Sequence, residues 1–197
     1  MAEMNKIFHK ITKSIHFAFM FASPLVLKKA NDSYLYFPPL NFKKEFVKIK
    51  ESIEHAQINV NITKRQCTKD SMREILACNP TGLHFSGHGL LNNMDLGEEF
   101  HLLHKDEGDF LVLEDESGGT DLISRRQLQT MIRQNKCELD FVFVATCHSE
   151  FVGRIFQEVG ANHVICIKHA NEVRDDAVIV FTDTFYNLVF EQKKEIC

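Results

Sequence analysis

The feature that most limits the folds open to this 197-residue chain is a repeated alternation. Short apolar runs bounded by turn residues are followed by stretches with apolar side chains at helical spacing. The run His16 to Phe21 is uninterrupted and flanked by turn residues, as expected of a strand buried on both faces. Asn41 is placed to cap a helix in which Phe42, Phe46, Ile49 and Ile53 form one stripe. Ile58 to Ile62 alternates apolar and polar residues, which puts it nearer a sheet edge. Asp70 is placed to cap a short helix carrying Met72, Ile75 and Leu76, stopped before Pro80. Gly82 to Ser86 is a third strand and runs directly into Gly87-His88-Gly89.

Phe110 to Glu114, with the turn at Gly118-Gly119, reads as a small hairpin. Ser124 and Gln127 form a capping box, with Ile123 and Leu128 as its hydrophobic staple. Two further strands, 139–145 and 163–167, flank a helix carrying Phe151, Val152, Ile155, Phe156 and Val159, with Gly160 just past its end. The last helix, 174–192, is expected to turn Ala177, Val178, Phe181, Phe185 and Leu188 to the core. Strands alternating with helices argue for an α/β fold, a mostly parallel sheet covered on both faces. The length suits one such domain.

A net charge of −4 gives no global attraction to nucleic acid or an anionic membrane. The apolar stretch Ile15 to Leu27 is interrupted by His16, Ser23 and Pro24, has no clear cleavage site, and is too short to span a bilayer. Of the six cysteines none forms a CxxC pair, so neither a zinc knuckle nor any other metal site is expected. Their irregular spacing suits reduced thiols in a cytoplasmic protein. No GxxxxGK[ST] or GxGxxG occurs, so no nucleotide or other cofactor is expected.

Two of the buried strands end in chemically capable residues. One delivers His88 within Ser-Gly-His-Gly, the other Cys147 within Ala-Thr-Cys-His-Ser. Ligands of open α/β sheets bind beyond the carboxyl ends of the strands. On neighbouring parallel strands, His88 and Cys147 would share that rim, where a histidine can turn the thiol into a nucleophilic thiolate. Gly89 allows close backbone approach, and its N–H with that of Cys147 can stabilise an oxyanion. The other cysteines, Cys67, Cys78, Cys137 and Cys166, read as inert packing thiols. His84 reads as a hydrogen-bonded core residue, and Ser86 as a loop hydrogen-bonder. His148 is expected to point away from the dyad. Glu98, Glu99, Asp106, Glu107 and Asp109 read as a solvated acidic loop.

An ordered set of segments resembles the CHAT domain, a family of the caspase-like clan that also holds caspases, separases and metacaspases. Phe21-Ala-Ser-Pro-Leu25 resembles the turn after the family's first strand, and Leu83 to Gly89 its histidine motif. Leu111 to Asp115, Leu122 to Ser124 and Leu128 resemble the hairpin and capped helix that follow. Val142 to Ser149 resembles the cysteine motif, and Phe181 to Leu188 the Phe-Tyr helix. The resemblance implies a caspase-like three-layer sandwich over residues 15–197, preceded by an N-terminal extension of residues 1–14. It implies a cysteine endopeptidase with a His88–Cys147 dyad acting on a protein or peptide substrate. The alternative is a catalytically silent module for protein–protein contact, and the competing fold reading is a flavodoxin-like binding domain. Glu150 stands where the family often has Gly. Cys197 falls where caspase-like folds continue to a further strand, so a fragment and the front domain of a longer chain with repeat or sensor modules both stay open.

Overall fold

The computed structural model describes residues 15–29, 32–91, 108–135, 137–168 and 173–196. The predicted acidic loop lies outside these residues except for Asp109.

Five parallel strands form the central sheet: β1 (Ile15–Phe21), β4 (Val60–Gln66), β5 (Gly82–Ser86), β9 (Phe141–Ala145) and β10 (His163–Cys166). Their order is β10-β9-β5-β1-β4. Five helices among the described residues cover it: α1 (Phe42–Ala56), α2 (Lys69–Ala77), α3 (Arg125–Asn135), α4 (Glu150–Glu158) and α5 (Asp175–Ile196).

Alternation along each strand sorts the core into two layers. Phe17 and Phe19 of β1 join Phe143 and Ala145 of β9 under α1 and α5. Ala18 and Met20 join Leu83, Phe85, Val142 and Val144 under α2, α3 and α4. Both faces are buried, so β1 carries no polar residue between Phe17 and Met20. Each fully buried Phe, Leu, Val or Met among them contributes about 1.5–3 kcal/mol by leaving water. This is the three-layer α/β sandwich that the sequence implies.

Two small sheets extend the fold. β2 (Val26–Lys28) and β3 (Tyr34–Tyr36) form a hairpin that the sequence reading misses. The second sheet is β6 (His88–Leu90), β7 (Phe110–Glu114) and β8 (Thr120–Ser124), which includes the predicted hairpin.

Three expectations need correction. β4 begins two residues later than predicted and runs on to Gln66, because it pairs with β1 along its whole length, Ile15 with Val60 through Phe21 with Gln66. As the edge strand it tolerates Lys64, Arg65 and Gln66. The cap of α2 is Thr68, whose hydroxyl accepts from the Ser71 N–H while Ser71 returns a bond to the Thr68 N–H; Asp70 lies within the first turn. Finally, the core face of α5 is only partly the predicted one: Val178 and Phe185 pack half-buried against the core, whereas Ala177 is exposed. Ile179, Thr182, Tyr186 and Phe190 are buried, while Phe181 and Leu188 are 53% and 55% exposed. The observed face brings Thr182 and Tyr186 inward, to Glu45 and His84 respectively.

Elsewhere the caps hold. Asn41 Oδ1 accepts from the Lys44 N–H at 3.1 Å, and Ser124 and Gln127 exchange bonds at 3.0 and 3.4 Å. Among the described residues no helix is long and apolar enough to cross a membrane.

Candidate active site

β5 and β9 are hydrogen-bonded neighbours, with Ser86 paired to Ala145. His88 and Cys147 each lie two residues beyond that pair, so both leave the sheet at the same height on the same rim. The chain bends at Gly87, whose N–H donates to the Ala145 carbonyl at 3.4 Å.

His88 opens β6 and is held by a segment the sequence reading did not single out. Its ring stacks on Phe37, centroids 5.1 Å apart and planes 27° apart. It also bonds to the Pro38 carbonyl. Nε2 is buried and has no hydrogen-bond partner among the described residues, so the Pro38 bond is assigned to Nδ1–H. That assignment leaves the Nε2 lone pair free, the form a general base requires. Burial pushes the imidazole below the ordinary histidine pKa; the Pro38 carbonyl favours the protonated ring but does not cancel the effect.

Cys147 sits in the turn between β9 and α4 and is partly buried. Its Sγ accepts from the Val173 N–H at 3.4 Å and donates to the Val173 carbonyl at 3.7 Å. Val173 precedes α5, and nothing in its sequence marks it. The thiol and His88 Nε2 are not hydrogen-bonded to each other. Gly89 packs directly on Cys147, and any Cβ at residue 89 would collide with the Cys147 carbonyl. Thr146, just before the cysteine, is 2% exposed and its hydroxyl has no partner among the described residues.

After Cys147 the chain turns through His148 in the left-handed region, φ 54°. Ser149 occupies the cap position of α4, yet its hydroxyl makes no cap bond. It donates to the Val144 carbonyl at 3.3 Å and accepts from the Ile167 N–H at 2.9 Å, tying β9 to the end of β10. Glu150 lies in the first turn of α4, where its carboxylate accepts from Arg154 at 2.6 Å.

The other described thiols are free. Burial pushes Cys67 well up, with Glu114 adding to it. Cys137 is pushed up to about 11 by burial and by Glu138. Cys166 is also raised, by burial and then by Glu150. Cys78 is exposed, contrary to the expectation of a packing thiol. An open cleft of about 630 Å³ is lined by Phe21, Ser23, Pro39, Leu40, Gln66 and Glu114, among others, and by neither His88 nor Cys147.

A histidine and a cysteine at the ends of adjacent parallel strands, in a three-layer sandwich, define the caspase-like class of α/β folds. The chain belongs to the CHAT domain family, whose model matches residues 8–195. That family is related to cysteine peptidases. No curated protein matches the chain. Among solved structures it is similar to a flavodoxin from the domain Archaea, 8% identical, covering 92% of this chain and 99% of that one at TM-score 0.39. It is also similar to the metal-soaked Flv1 flavodiiron core from Synechocystis sp. PCC6803, 12% identical, covering 98% of this chain and 40% of that one at TM-score 0.40. A flavodoxin from Streptococcus pneumonia TIGR4 is 10% identical, covering 87% and 94% at TM-score 0.36.

Proposed function

We propose that this chain is a cysteine endopeptidase in which Cys147 is the nucleophile and His88 the acid–base. The observation that carries this reading is the shared rim: neighbouring strands β5 and β9 release the two residues at one height. His88 Nε2 takes the thiol proton as Sγ attacks the scissile carbonyl carbon, and the carbonyl π electrons move to its oxygen. The N–H groups of Gly89 and Cys147 stabilise that oxyanion. Its collapse expels the amine, which leaves with the proton from His88, and water then hydrolyses the thioester.

The Val173 N–H and carbonyl hold Sγ in place beside the rim. The absence of a thiol–imidazole bond favours a second reading, a silent caspase-like module that contacts other proteins. Selective modification of Cys147 by an electrophilic peptide, dependent on His88, separates the two.

A further inference from the structure

Away from the dyad, the least expected group in the molecule is a buried carboxylate. Glu45 of α1 is 2% exposed and lies between helix and sheet. One oxygen is 3.1 Å from His84 Nε2 and 3.1 Å from the Thr182 hydroxyl, and Ser86 also donates to the carboxylate. His84 is itself fully buried, stacked between Phe19 at 5.0 Å and Phe143 at 4.7 Å. Its Nδ1 is 3.0 Å from the Tyr186 hydroxyl. Burial alone would push the Glu45 carboxyl up, but His84 and the bonds from His84, Ser86 and Thr182 outweigh it, and the group is held below its usual range. Burial also holds the Tyr186 phenol protonated.

A charged network spanning α1, β5 and α5 adds little net stability over apolar side chains of similar volume, because of the desolvation cost. What it fixes is geometry, since each partner accepts one arrangement. The geometry at stake is the end of β5. His84 and Ser86 share the face of β5 turned to α1 and α5, and Glu45 grips both. Ser86 is the last residue of the strand, and Gly87 and His88 follow at once.

We propose that Glu45 is a positioning residue for His88: through Ser86 it sets the direction in which the chain leaves β5 and so the place of the imidazole on the rim. This rests on the peptidase reading for its kinetic arm. Tyr186 bonds His84 and reaches Glu45 only through that ring, so on this proposal its hydroxyl can be lost while the Glu45 and Ser86 grip on the end of β5 remains.

The test compares three variants of the full chain. Glu45→Gln and Ser86→Ala are expected to lower kcat about ten- to a hundredfold with KM held, as for a slightly misplaced catalytic group. Tyr186→Phe is expected to lower the melting temperature and leave kcat unchanged. In parallel, the ring C–H signals of His88, identified by their loss in His88→Gln, are expected to move in the first two variants and to stay in Tyr186→Phe. Unmoved His88 signals and wild-type kcat in Ser86→Ala overturn the inference. If wild type cleaves no better than Cys147→Ala, the peptidase reading fails by itself, and the His88 signals alone then decide for or against the coupling. Should Glu45→Gln not fold, Ser86→Ala carries the test, since it removes one hydroxyl only.

Discussion

Gly89 and Cys147 meet backbone to backbone: a Cβ at residue 89 would stand 2.1 Å from the Cys147 carbonyl oxygen. This close approach brings the histidine segment against the cysteine turn. The requirement for glycine here is close approach, because Gly89 is not among the residues with positive φ.

Gly89→Ala is therefore expected to displace the Cys147 turn. Overpacking of this kind costs about 1–3 kcal/mol. Denaturant unfolding checks the stability, and labelling of Cys147 by a peptide electrophile checks the site; both should fall together. A variant as stable and as reactive as wild type would contradict the contact.

His88 gives a pH dependence with a definite sign. Burial lowers its folded pKa, so the unfolded chain takes up the proton first as pH falls. The stability tied to neutral His88 is present above the ordinary histidine range and is lost as pH falls through it towards the folded value. Between about pH 7 and about pH 5, wild type should lose melting temperature more steeply than His88→Gln. Parallel curves would refute the burial of the neutral ring. Any peptidase activity should likewise keep its acidic limb below the ordinary histidine pKa.

Ser149→Ala removes a hydroxyl that bridges the Val144 carbonyl and the Ile167 N–H. The loss leaves the Ile167 N–H without that acceptor, at a cost of about 1–3 kcal/mol. Amide exchange should rise at Ile167. Unchanged exchange and stability would show that the bridge is not structural.

Glu150 faces Arg154 one turn along α4. Glu150→Gln should leave the rate of Cys147 alkylation unchanged across pH and cost only a few tenths of a kcal/mol, as for a helical i,i+4 pair. A marked increase in thiol reactivity at neutral pH would show instead that the carboxylate opposes the thiolate.

The sandwich was legible because its strands are buried on both faces and its helices are capped by local chemistry. Asn41, Ser124 with Gln127, and Gly160 act within three or four residues of themselves, so the sequence displays them. The rim was legible for the same reason: Gly87-His88-Gly89 and Thr146-Cys147 directly follow strands. What escaped depends on distant partners. Pro38 and Val173 act through backbone groups, which any residue supplies, so no residue type announces them. The face of α5 was legible only in part, through Val178 and Phe185, because its pattern offers two apolar stripes. Thr182 and Tyr186 choose between them only once Glu45, 137 residues from Thr182 in sequence, is in place. Phe181 and Leu188 thus remain outside although their spacing suited the core.

The most direct measurement is the labelling of the protein by an electrophilic peptide, with the modified thiol located by mass spectrometry. The account predicts attachment at Cys147, lost in Cys147→Ala and strongly reduced in His88→Ala, with both variants folded because neither side chain fills the core. Cys147→Ser should be nearly inert, a hydroxyl being the weaker nucleophile. Burial disfavours Cys67, Cys137 and Cys166, which leaves exposed Cys78 as the internal control among the described thiols. Labelling of Cys78 at the same rate as Cys147, or labelling of Cys147 indifferent to His88→Ala, would contradict the dyad.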